Sequence, residues 1–120
     1  MANEHRDVLK ALVRAEIEAA LPTLIGLSDW MYHNPELGRQ EFQASNKIVD
    51  IIKEYGADVE KNIAGMETAF VAALPGQKPG PKIGIIAEYD ALPEVGQGCG
   101  HNIIATAALG AAMGLARFKL

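Results

Sequence analysis

The stretch Lys82–Phe118, "KIGIIAEYDALPEVGQGCGHNIIATAALGAAMGLARF", decides how the chain is read. "KIGIIAEYD" has little polar alternation, the pattern of a strand covered on both faces. "NIIATAALGAAMGLARF" is apolar nearly all round, the pattern of a buried helix that Asn102 can cap. Between them lies a glycine-rich turn holding the only cysteine of the chain. A strand, a turn and a helix in that order predict an α/β protein. In open sheets of that class ligands bind in the crevice beyond the carboxyl ends of the strands. Glu88 and Asp90 stand at that end, and Cys99 and His101 stand in the turn leading to the helix.

Upstream, "NEHRDVLKALVRAEIEAALPTLIGLSDWMYHN" sets Val8, Leu12, Ile17 and Leu21 at helical spacing. Pro22 should kink this helix or split it, because proline lacks the N–H and its ring crowds the preceding turn. "HNPELG" predicts a break, with Gly38 suited to a left-handed position. "RQEFQASNKIVDIIKEYG" turns Phe42, Ile48, Ile51 and Ile52 to one side of a second helix, which Gly56 stops. A short extended stretch over 57–60 follows. "METAFVAAL" and "KIGIIAEYD" then read as two strands joined by the long turn "PGQKPGPK". Gly110 and Gly114 form a GxxxG pair, expected to let the last helix approach the sheet closely.

Composition narrows the function classes. The 120 residues are 49% hydrophobic and 22% charged, enough for one domain with a buried core. A net charge of −4 without a basic stripe argues against nucleic acid, whose binding is driven by concentrated Lys and Arg. The apolar run 103–116 is shorter than the roughly 20 residues that span a bilayer, so no membrane role is expected. A single cysteine forms no internal disulfide, and "MANEHRDVLK" lacks the apolar core of a secretory signal. Both point to the cytoplasm.

The turn gathers thiol, imidazole and carboxylate, a donor set suited to zinc and similar ions. Gly98 and Gly100 allow a sharp turn that aims Cys99 and His101 at a common point. Other readings stand beside this one. Cys99 can be a small buried hydrophobe. Glu88 and Asp90 can be the solvated end of a strand. Cys99 and His101 can form a nucleophile pair, although side chains two apart on one loop usually diverge. His33 is expected to bond backbone carbonyls at a helix end, and Glu4 and His5 to be solvated surface.

"HNPELGRQEFQAS", "IAEYDALPEVGQGCGHN" and "AALGAAMGL" together resemble the amidohydrolase branch of the metallopeptidase-20 family. That branch includes aminoacylases, hippurate-type and p-aminobenzoyl-glutamate hydrolases and related dipeptidases. The resemblance covers most of the chain from His33 onward. It implies the N-terminal part of a catalytic domain of the zinc-exopeptidase type, an α/β/α sandwich. It also implies a pair of zinc or manganese ions in the complete enzyme, which hydrolyses amide bonds of N-acyl amino acids or small dipeptides and forms a homodimer. By the resemblance Cys99 and His101 are metal ligands, Asp90 is the acid that orients the site, and Glu88 lies outside the ligand set. Asn102 stands where an aspartate is commoner, which favours the p-aminobenzoyl-glutamate hydrolase and dipeptidase side. The general-base glutamate and the remaining ligands match nothing within these residues, so residues 1–120 alone are expected to be inactive. The alternative is a non-catalytic, partner-binding or regulatory fragment in which the Cys-Gly-His turn is structural.

Overall fold

The computed structural model describes residues 1–118. Three helices and one hairpin run in the order α1 (Ala2–His33), α2 (Phe42–Glu54), β1 (Asp58–Ile63), β2 (Met66–Ala73) and α3 (His101–Phe118). This is a mixed helix and sheet arrangement, compatible with the α/β class.

The core is built where the three helices meet. Ala20, Leu24, Leu27 and Met31 of α1 face Ala44, Ile48 and Ile52 of α2 and Ala105, Leu109 and Met113 of α3. Helix α1 continues through Pro22 as one helix, so the split reading is excluded. The reason lies in α3, which packs antiparallel along α1 on both sides of the proline. A Cβ at Gly110 would approach Leu24 Cδ1 to 2.9 Å, and one at Gly114 would approach Val13 Cγ1 to the same distance. The two glycines therefore bring helix to helix, where helix to sheet was expected. The apolar positions expected for α1 are also corrected in part. Ile17 packs against the core, whereas Val8, Leu12 and Leu21 are exposed.

Helix α2 keeps Ile48 and Ile52 buried and Ile51 against the core, while Phe42 is exposed. Gly56, at φ +86°, ends it as expected. The left-handed residue of the preceding turn is Arg39, at φ 69°, and not Gly38. Glu36 holds the start of the helix: Oε1 accepts the Ala44 N–H at 2.7 Å and Oε2 the Gln43 N–H at 3.1 Å.

The hairpin differs from the sequence expectation. β2 pairs antiparallel with β1, from Asp58 opposite Ala73 to Ile63 opposite Met66, with an irregularity between Lys61 and Ile63. Ala64 and Gly65 make the two-residue turn, both at positive φ, which suits the right-handed twist of the strands. Residues 82–90 form no strand among the described residues. A buried strand needs neighbours on both edges, and among the described residues the sheet is β1 and β2 alone, with no strand paired to this segment.

Candidate metal centre

Residues 91–100 form a tight loop closed by Leu92 and Gly96, each donating its N–H to the other's carbonyl at 2.8 and 3.0 Å. The loop is anchored at its start by the Ala91 N–H, which the Glu36 carbonyl accepts at 2.7 Å. A Cβ on Gly98 would collide with Val95 Cγ1, and Gly100 takes φ +76°, so both glycines beside Cys99 are required by this turn.

Two side chains fix the loop to α1: Gln97, missed in the sequence, and Asn102, expected there only as a cap. Gln97 Oε1 accepts the Asn102 N–H at 3.1 Å, and its Nε2 reaches the Met31 carbonyl at 3.4 Å. Asn102 is buried within the first turn of α3 and donates to Ser28, at 3.0 Å to Oγ and 3.3 Å to the carbonyl. It does not cap the helix. Gly100 supplies the first carbonyl, accepting from Ile103 and Ile104 at 3.0 and 3.1 Å, while Gln97 satisfies the N–H of Asn102. A polar residue between two glycines was the available signal for Gln97.

Three of the four side chains singled out in the sequence meet. His101 Nδ1 lies 2.8 Å from Asp90 Oδ1 and 3.1 Å from the Asp90 carbonyl. Both partners accept only, so Nδ1 carries a hydrogen toward them. Nε2 faces Glu88 Oε2 at 3.4 Å. Cys99 sits on the adjoining turn with its side chain exposed, which rules out the buried-hydrophobe reading.

The donors fit a divalent ion in kind and fall short in number. A carboxylate holding Nδ1–H is the usual device for orienting a metal-binding imidazole. Among the described residues, however, no three His, Cys, Asp or Glu side chains converge as a metal cage. A catalytic zinc ordinarily takes about three protein ligands. A surface cavity of about 500 Å³ lies elsewhere, between the first half of α1 and Leu115, and its lining includes no cysteine or histidine.

A second polar cluster holds Tyr89, the residue before Asp90. Buried Glu41 accepts from Thr68 Oγ1 at 2.7 Å and from the Arg39 N–H at 2.9 Å. Tyr89 donates to the Thr68 carbonyl and stacks on Phe70 with centroids 6.0 Å apart. Burial raises the Tyr89 pKa above its ordinary value, with the Glu41 charge adding to the rise and a hydrogen bond with Ser45 opposing it. His33 Nδ1 bonds the Asp29 carbonyl at 2.8 Å, as expected for a helix-end histidine.

Known proteins resemble this chain in sequence. The chain is 29% identical over 119 residues to a p-aminobenzoyl-glutamate hydrolase of Escherichia coli, covering 85% of this chain and 24% of the relative. It is 32% identical over 117 residues to mouse Xaa-Arg dipeptidase, covering 91% and 27%. It is 30% identical over 103 residues to N-acetyl-L-cysteine deacetylase of Bacillus subtilis, covering 74% and 24%. The chain thus spans about a quarter of the length of the curated relatives it matches. No family profile matches it.

Proposed function

This chain is a relative of the metallopeptidase-20 amidohydrolases, and we propose that it forms the N-terminal part of the catalytic domain of such an enzyme. The reaction is metal-dependent hydrolysis of the amide bond in N-acyl amino acids or small dipeptides, substrates named by the relatives above. The complete domain is an α/β/α sandwich in which 82–90 becomes an inner strand. The complete enzyme is a cytoplasmic homodimer, and residues 1–120 alone are inactive.

One observation carries the reading: Asp90 holds His101 Nδ1 at 2.8 Å beside the exposed Cys99. We assign Cys99 and His101 as metal ligands and Asp90 as the residue that orients His101. Zinc or manganese, two ions in the complete enzyme, would supply Lewis acidity toward the scissile carbonyl and toward water. The residues of this chain do the positioning. Asp90 fixes the tautomer of His101 and strengthens Nε2 as a donor. Gln97 and Asn102 pin the turn to α1 so that Cys99 and His101 keep a fixed relation. Glu88 stays outside the ligand set and bears a negative charge toward Nε2, favouring a cation there.

A chimera tests this. Residues 1–120 replace the corresponding N-terminal quarter of the Escherichia coli hydrolase, and hydrolysis of p-aminobenzoyl-glutamate is followed with and without chelator. Chelator-sensitive hydrolysis, lost on Cys99→Ala in a protein with unchanged circular dichroism, is the expected result. Activity that survives Cys99→Ala, or steady hydrolysis by the 120-residue chain alone, would overturn the reading.

A further inference from the structure

We propose, resting on the metal-centre reading above, that Glu41 is a positioning residue for His101, acting through Thr68, Tyr89 and Asp90. The two chain neighbours of Asp90 are held by different elements. Ahead of it, Tyr89 donates to the Thr68 carbonyl of β2 and stacks on Phe70. After it, the Ala91 N–H donates to the Glu36 carbonyl at 2.7 Å, in the turn before α2. The place of Asp90 is therefore set by how β2 and that turn stand to each other.

Glu41 fixes that relation. Its Oε2 accepts from Thr68 Oγ1 at 2.7 Å, and its Oε1 accepts the Arg39 N–H at 2.9 Å. No other side-chain hydrogen bond joins the turn to β2 among the described residues. Glu41 is buried, so losing either donor leaves a carboxylate oxygen short of partners and drives it toward water. Arg39 has φ 69°, a left-handed conformation that a residue with a side chain keeps only where its surroundings fix it. The bond to Glu41 supplies that fixing. Gly38 lies between the two carboxylates: a Cβ there would stand 3.8 Å from Asp90 Oδ2 and 3.9 Å from Glu41 Oε1. A shift of the turn thus reaches Asp90 directly.

The His101 ring registers the result. Asp90 offers Nδ1 two acceptors, its carboxylate at 2.8 Å and its carbonyl at 3.1 Å. Glu88 Oε2 offers Nε2 one, at 3.4 Å. On a neutral ring these compete for a single hydrogen, and the closer pair holds it at Nδ1. That form leaves Nε2 open to a metal. Loosening Asp90 moves the hydrogen to Nε2, against Glu88, and closes it.

Proton–nitrogen correlation spectra of the metal-free chain, with the His101 ring neutral and its signals identified by their loss in His101→Ala, read the tautomer. Wild type should hold mainly the Nδ1–H form. Glu41→Ala and Thr68→Val should each raise the Nε2–H share several-fold, and Thr68→Ser, which keeps the hydroxyl, should stay at the wild-type share. Lys61→Ala cuts a separate tie between the hairpin and α2, Lys61 Nζ to Asn46 Oδ1 at 2.6 Å, and should change nothing. Circular dichroism checks folding; if Glu41→Ala and Thr68→Val both unfold, Tyr89→Phe takes their place with the same shift expected. A wild-type ring without the Nδ1–H form overturns the proposal. So does a folded Glu41→Ala, Thr68→Val or substitute Tyr89→Phe with the wild-type tautomer, a Thr68→Ser as shifted as Thr68→Val, or an equal shift in Lys61→Ala. Cobalt(II) affinity, expected about 10-fold weaker in Thr68→Val, separates this role from the metal centre itself. The tautomer shift in a chain that binds no cobalt supports the role of Glu41 and refutes the metal centre. Cobalt bound equally by wild type and Thr68→Val overturns the role of Glu41 and leaves the metal centre standing.

Discussion

On the proposed reading Asp90 acts through His101, so its removal should be milder than loss of a donor. We expect Asp90→Ala to weaken zinc or manganese binding by about 10–100-fold, with His101→Ala weakening it further; equal effects in isothermal titration would deny Asp90 an orienting role. Gln97→Ala leaves the Asn102 N–H without its side-chain acceptor and should cost about 1 kcal/mol of stability in urea unfolding. Tyr89 gives a pH signature. Its pKa is raised by burial above the ordinary 10.0, so the folded state holds this proton where the unfolded state has released it. Its contribution is present below pH about 10 and is lost as pH rises through the folded pKa. Tyr89→Phe should flatten this alkaline loss in urea unfolding between neutral and strongly alkaline pH. At this scale the sequence made residue types legible but not their partners. Asn102 looked like a cap because it precedes an apolar run, yet Ser28, seventy-four residues away, takes its side chain.

Helix positions were easier to read than strand positions. An apolar period of 3.6 marks α2, an apolar run of helical length marks α3, and Gly56 ends α2 where expected. β1 was legible only as a short extended stretch, because "DVEKNI" is mostly polar and buries little. "KIGIIAEYD" carries the composition of an inner strand, but strand identity depends on a neighbour that composition does not supply. The GxxxG pair marked a close approach without saying to what. Its contact with α1 makes a sharp prediction. Gly110→Leu should destabilise by about 1–3 kcal/mol through overpacking against Leu24. Gly110→Ala should cost less, because alanine regains about 1 kcal/mol of helix propensity and the atom it meets is the end of a leucine side chain. Matching melting temperatures for Gly110→Leu and wild type would place Gly110 away from α1.

The whole molecule is elongated, 53 × 28 × 21 Å, with a radius of gyration of 15.3 Å against about 13.6 Å for a chain this long. Helix α1 sets the long axis, and its first half exposes Val8 and Leu12. Exposed apolar surface also lies along 82–90, beside the turn that gathers His101, Asp90 and Glu88. The shape and the site agree: the chemistry lies at one end of an α/β unit whose surface is only partly covered. That the turn binds metal is the claim on which the functional account rests. Cobalt(II) tests it best, because a thiolate bound to cobalt gives a near-ultraviolet charge-transfer band. The purified chain, titrated to saturation, should show that band, lose it in Cys99→Ala, and bind more weakly with an altered band in His101→Ala. Absence of the band at saturation, or a band and affinity unchanged by His101→Ala, would contradict the account.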